Sequence, residues 1–382
     1  MKKSICTYQQ INNYVSQFFD HEMHAKRVES IATAMFGCLK AGSIAISAIA
    51  KALGQFRGLK VKHALKQVDR LLSNTKFDLN ATFPLWINFL LASKKEIVVA
   101  LDWTDFSKDG QATLALHMVN KTGRSSPLLW KTVLQSELKN KQNDVEDELL
   151  SSFKEMLPED ISVTVLADRG FLDMAFFAFM RQLGFDFIVR CRKNVLIEHG
   201  GERQQANAWL SPSGRSQGLR GVKATKDGYC VPFFVSTRDK KMQEAWHLLS
   251  SRDDLRASQI VSLYGRRFTI EERFRDIKDD RFGMGLSRIR VSKPERRDRM
   301  LFLCALAIPL LSLLGAAGES LGMDRMLKCN TVKHRTHSLL TQGSHYFLCL
   351  SVMSGPELNK LLKRFNELLS EHAVFTGIFG VI

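Results

Sequence analysis

Residues Glu96–Phe106, EIVVALDWTDF, decide the fold class of this chain. Aliphatic and β-branched residues run from Ile97 to Leu101 and end at Asp102, as a buried strand leading into a polar turn would. Upstream the character differs. Segments 9–19, 21–39, 42–59 and 62–71, with an apolar stretch near 83–92, lack strand alternation and predict a helical domain over residues 1–95. Downstream, QATLALHMVN (111–120) follows a Lys-Asp-Gly turn, and SPLLWKTVLQ (126–135) predicts a third strand. A helix over 145–156, the strand in ISVTVLADRGF (161–171), a helix over 172–183 and the strand FDFIVRCRKN (185–194) complete an α/β layer pattern. The rhythm then breaks. SPSGRSQGLRG, YCVPFFVST and EAWHLLSSRDD predict an inserted, mainly β subdomain at about 195–250, not a continuation of the parallel layers. Helix returns from residue 254. The catalytic-type domain is expected to span 96–325. Residues 326–382 carry an amphipathic LNKLLKRFNELL helix that closes the core or makes a protein contact.

Composition bounds the partners. A chain of 382 residues exceeds one ordinary core and fits two or three domains. Lys and Arg outnumber Asp and Glu by 55 to 39, a formal charge of +16, which favours a polyanion and nucleic acid ahead of a membrane. Residues 1–96 hold 14 basic against six acidic side chains, so the excess is not a tail. Arg57, Lys60, Lys62, Lys66 and Arg70 form one face there that suits a phosphate backbone or plain solvation. The seven cysteines include no CxxC pair, which argues against structural zinc and a disulfide framework and suits a reducing cytoplasm. Lys2 and Lys3 are followed by polar residues, unlike a signal peptide. Residues 301–318 are uncharged and long enough to span a bilayer. The charged PERRDRM before them and Pro309 within them point instead to a buried core helix, with no stable membrane association expected.

Three carboxylates could carry chemistry. Asp102 and Asp168 each stand at the end of a buried strand; either alone could simply cap the following turn. In YGRRFTIEERFRDIKDDR, Tyr264, Arg267, Glu271, Arg275 and Lys278 recur at helical spacing, forming a single polar stripe in which Glu271 can pair with Arg267 and Arg275. Core packing does not explain a charged stripe; an exposed salt-bridged face does, at tenths of a kcal/mol. Three carboxylates can also hold two divalent ions about 4 Å apart for phosphodiester cleavage and strand transfer. All-oxygen donors suit magnesium or manganese. Arg267 and Lys278 would then bind phosphate, and Tyr264 would hydrogen-bond to it or stack near the DNA end. Arg190, Arg192 and Lys193 offer a further phosphate surface. His117 and His247 lie in apolar strands and read as structural, and Gly283 and Gly285 lack the preceding strand of a nucleotide fingerprint.

This set resembles the DDE transposases of bacterial insertion sequences, in the insertion-sequence group four branch marked by a Tyr-2-Arg-3-Glu-6-Lys signature. Tyr264, Arg267, Glu271 and Lys278 match that signature, Asp102 in LDWTD the first aspartate and Asp168 in LADRGF the second, over residues 96–315. The resemblance implies a ribonuclease H-like catalytic core with a β insertion between the second aspartate and the glutamate. It also implies metal-dependent cleavage and joining of double-stranded DNA ends that carry terminal inverted repeats, transfer to target DNA, a homodimer in the DNA complex, cut-and-paste movement through hairpins, and a place in the bacterial cytoplasm at the nucleoid. Trp246 in EAWHLLSS matches a tryptophan that stacks on a flipped base, with core burial as the alternative. Two other readings stand beside this one: a metal-dependent nuclease that cuts without joining, and a non-catalytic DNA-binding protein derived from a transposase. Convergence of the three carboxyl groups separates an enzyme from the latter.

Overall fold

The computed structural model describes residues 7–19, 23–91, 94–120, 123–225, 228–240 and 242–371. Lys2, Lys3, Cys6, positions 21, 22 and 92 of the expected helices and residues 372–382 of the C-terminal region lie outside the described residues. Helices α1 (Tyr8–Phe19), α2 (Ala25–Ala41), α3 (Ile46–Arg57), α4 (Val61–Ser73) and α5 (Leu79–Leu91) precede the first strand. Gly42 and Gly58 end α2 and α3 with φ of +58° and +66°, a backbone that costs glycine least.

The β-branched run forms β1 (Glu96–Phe106), followed by β2 (Gln111–Met118), β3 (Ser126–Leu134), α6 (Gln142–Met156), β4 (Ser162–Ala167), α7 (Met174–Leu183) and β5 (Asp186–Cys191). Strands β6 (Leu196–His199), β7 (Glu202–Gln205), β8 (Gln217–Ala224), β9 (Tyr229–Thr237) and β10 (Trp246–Ser250) come next. All ten strands share one sheet in the order β3-β2-β1-β4-β5-β10-β9-β8-β6-β7. β4 lies parallel to β1 and β5, and the other neighbours run antiparallel. The β-rich stretch after residue 195 adds antiparallel strands, not parallel layers, to the same sheet. β10 pairs with β5 (Leu248↔Arg190, Leu249↔Val189), and the sheet simply grows from that edge. An unpaired edge presents a row of backbone donors and acceptors, and an inserted strand satisfies them.

Alternation along β1 divides the layers. Ile97, Val99 and Leu101 enter the large apolar cluster, while Val98 packs with Leu166, Ile188, Phe233, Val235, Leu248, Ile260 and Tyr264 on the other face. That second face is covered by α8 (Ala257–Gly265), a 3-10 turn (Arg266–Phe268) and α9 (Thr269–Lys278). The uncharged stretch 301–318 lies in α10 (Pro294–Ser320), long and apolar enough to cross a membrane, yet 72% of its apolar window is buried by protein. It packs against α2, β3, α11 (Leu339–Cys349) and α12 (Gly355–Glu371), and the expected amphipathic helix buries Leu358, Leu361, Phe365 and Leu369. Its first turns tie the helices to the sheet. Arg296 bonds to Asp69 and Ser73, Arg299 to the carbonyls of Leu72 and Phe77, and buried Arg297 to Asp109 and Gln111.

Candidate active site

The register of two parallel strands creates the site. Leu101 pairs with Ala167 at the end of β4, so Asp102 within β1 and Asp168, the residue that follows β4, lie close enough to interact. In-register neighbours project to the same face, here the face covered by α8 and α9. One step along the sheet, Ala167 pairs with Val189, which sets Arg190 beside Asp168. Trp103 points the opposite way and donates Nε1–H to Glu146 Oε1 on α6 at 2.7 Å. Burial raises the Glu146 pKa against that bond.

The second half of the site arrives with the helices. The stripe from Tyr264 to Lys278 is not one continuous helix, because the 3-10 turn at Arg266–Phe268 resets the phase between α8 and α9. Tyr264 ends α8, is buried and donates its hydroxyl to Asp168 Oδ1 at 3.5 Å. Arg267 sits on the turn with its side chain 5% exposed. Its Nη1 donates to Asp102 Oδ2 at 3.1 Å and its Nη2 to Glu271 Oε1 at 2.6 Å, while its Nε is buried and finds no acceptor among the described residues. Glu271 lies in the first turn of α9, where the helix dipole favours an anion. Asp102, Asp168, Tyr264, Arg267 and Glu271 thus meet in one place.

The electrostatics bear the mark of crowding. Burial pushes the Asp102 pKa up to about 6; Arg267 opposes the shift, Glu271 and Asp168 add to it, and the Trp103 N–H opposes it again. Arg267 is held firmly charged: burial works against its charge, but Tyr264, Asp102, Asp168 and Glu271 together outweigh it. Among the described residues, no three His, Cys, Asp or Glu side chains gather closely enough to hold a metal ion, and Arg267 stands between Asp102 and Glu271.

Other predicted residues fare differently. Lys278 is not in contact with the carboxylates: it donates from Nζ to the Asp105 carbonyl at 2.7 Å over the Phe106 ring, and burial lowers its pKa. Arg275 does not pair with Glu271. It is 69% exposed and pairs with Glu272, while Glu271, equally within its helical reach, is held by Arg267. Arg190 is engaged by Glu244 at 2.6 Å, and Arg192 and Lys193 are exposed beyond the end of β5. Trp246 opens β10, half-buried, edge-on to Tyr264 (5.2 Å) and stacked on Phe268 (5.9 Å, 27°). His117 and His247 are buried, bond to Ser125 and Ser236, and are lowered by burial to about 3 and about 4. Both are neutral structural side chains.

Phe268 escaped the sequence reading. It is 38% exposed, carries the Arg267 guanidinium over its ring at 4.9 Å, and forms an apolar shelf beside the carboxylates. Its signal was an aromatic residue inside a charged string. The basic face of α4 was also incomplete: Lys66 and Arg70 line a groove of about 600 Å³ whose other wall is His24, Lys26 and Arg27 of α2 and the residue before it. Among the described residues, no Asp or Glu lines it. No curated protein matches the chain at a significant level. Residues 93–310, more than half of the chain and all of the strands and helices that build this site, match the transposase DDE domain family, and the chain belongs to that family.

Proposed function

We propose that the chain is a DNA transposase that cleaves the ends of an insertion sequence and joins them to target DNA, with Asp102, Asp168 and Glu271 as the reacting carboxylates. One observation carries this reading: Arg267 and Tyr264, two residues of the signature, bond directly to Asp102, Glu271 and Asp168. The strand order β3-β2-β1-β4-β5, antiparallel and then parallel, supports a ribonuclease H-like core beneath them. Family membership makes divalent-metal chemistry the general expectation. The donors fit a hard dication, since all three are carboxylates and their mutual repulsion contributes to the raised Asp102 pKa. Bound there, magnesium or manganese would activate the attacking oxygen and stabilise the leaving one.

The chain's own residues supply positioning. Lys278 and Arg267 draw a phosphate toward the carboxylates, Tyr264 orients Asp168, and the Trp246–Phe268 pair offers an aromatic surface for a displaced base, as hairpin chemistry would need. The basic groove between α2 and α4 suits the backbone of the same duplex, the inverted repeat being the natural partner and a second copy of the chain its companion in the DNA complex. A non-catalytic DNA-binding protein is favoured by one fact, that three metal donors are not gathered among the described residues; the place of Arg267 accounts for it. Supercoiled-plasmid cleavage with Mg²⁺ tests the choice. Glu271→Ala should lose cleavage by at least about a hundredfold and keep DNA binding, and cleavage at the wild-type rate by that variant refutes the enzyme reading.

A further inference from the structure

Arg267 occupies the space where two of the three carboxylates need a cation. Its guanidinium fork spans Asp102 Oδ2 at 3.1 Å and Glu271 Oε1 at 2.6 Å, on a side chain 5% exposed. We infer that Arg267 is a built-in counter-ion of this set, holding Asp102 and Glu271 until a DNA phosphate draws it off and a divalent cation takes its place. This rests on the reading of the three carboxylates given above.

Two features separate such a role from a permanent structural bridge, and a third is compatible with it. The compatible one is the Arg267 Nε, buried without an acceptor among the described residues, as are donors of Arg27, Arg273 and the structural tie Arg297. An incoming phosphate provides the acceptors that the present partners do not, and its geometry matches the guanidinium fork. Glu271 is half-exposed, with its side chain at 48%, so this end of the bridge opens to solvent while the Asp102 end is enclosed at 20%. Finally, the aromatic rings of Tyr264 and Phe268 flank the guanidinium at 6.0 and 4.9 Å, leaving it a cation-compatible surface to slide along rather than a closed socket.

The consequence is a coupling. A guanidinium and a divalent ion compete for the same oxygens, so DNA that removes the guanidinium must raise metal affinity, and metal must raise DNA affinity by the same factor. Metal loading would then follow engagement of DNA and leave the DNA-free protein quiet.

Mn²⁺ binding to the full-length protein, followed by electron paramagnetic resonance, reads this without any turnover. Titrations are made with and without a short blunt-ended duplex at low salt, with Mn²⁺ bound by the duplex alone subtracted. The wild type should gain about tenfold in affinity when the duplex is present. Arg267→Gln should bind Mn²⁺ about tenfold more tightly than wild type without DNA, and gain little more from the duplex. Equal DNA-free affinity of a folded Arg267→Gln and the wild type overturns the inference. If Arg267→Gln does not fold, the wild-type titrations decide, and no gain from the duplex overturns it. Asp102→Asn keeps the two readings apart. Unchanged Mn²⁺ binding in that variant means that the carboxylates are not the ion site. Reduced binding there, with no gain in Arg267→Gln, removes the counter-ion role alone.

Discussion

Replacing Asp102 by Asn should stabilise the metal-free protein at alkaline pH, and the gain should vanish in acid. The carboxyl is lifted from 3.8 in the unfolded chain to about 6 in the folded one, chiefly by burial. Between those values the folded state holds a proton that the unfolded state has released. Stability therefore falls as pH rises through that window and stays reduced above it. The pKa difference corresponds to about 3 kcal/mol above about pH 6. Asn keeps an acceptor for the Trp103 N–H but leaves Arg267 one acceptor fewer, which subtracts about 1 kcal/mol. The expected net gain is about 1–3 kcal/mol near pH 8 and near zero at about pH 4. Urea unfolding of both proteins across this range, with a chelator present, measures it. An Asn variant less stable than wild type at about pH 8, or a difference that does not change with pH, would show that attraction to Arg267 outweighs burial, and the account of a strained carboxylate cluster would fail. A gain would mean that the site sacrifices stability for a cation it has yet to receive.

Gly343→Ala places a methyl group against the Leu311 carbonyl where α11 crosses α10. Alanine's helix preference offers about 1 kcal/mol, but overpacking costs about 1–3 kcal/mol or more, so a lower melting temperature is expected. Gly355→Ala, with open space around it, is the control; a Gly343 variant that melts at or above wild type contradicts the close crossing. Lys66→Gln combined with Arg70→Gln should weaken DNA binding for all sequences and reduce the slope of log affinity against log salt by about 2. An unaltered slope would take the α2–α4 groove out of the DNA interface. Trp246→Ala should slow hairpin formation on a DNA end more than the first nick. Equal loss of both steps with the fold intact assigns Trp246 to packing against Tyr264 and Phe268.

Much of the site was legible before any coordinates. An apolar, β-branched run is a local signal, so the strand at Glu96–Phe106 could be read directly, although it runs on past Asp102 instead of ending there. So could the helical character of the segments before it, and the burial of 301–318, whose charged flank becomes the arginine ties to α4 and the sheet. The spacing from Tyr264 to Lys278 picked out residues of which Tyr264, Arg267 and Glu271 gather with the two aspartates, in a geometry it described imperfectly. It assumed one helix, and the 3-10 turn sets Tyr264 and Arg267 apart from the residues of α9, where Glu271 pairs with Arg267 and Arg275 with Glu272.

Strand pairing is where local pattern runs out. Nothing within residues 96–102 or 162–168 says that Leu101 stands opposite Ala167, because backbone pairing is blind to side-chain identity and the partners are far apart in the chain. That register brings Asp102, inside β1, close to Asp168, just after β4. The edge of β5 likewise gave no sign that β10 would join it and extend one sheet across the insertion, carrying Trp246 to the signature helix. Residue type and spacing singled out three candidate carboxylates in a basic chain. Long-range register and helix docking, driven by burial of the apolar faces around them, brought those carboxylates together and set Arg267 between two of them.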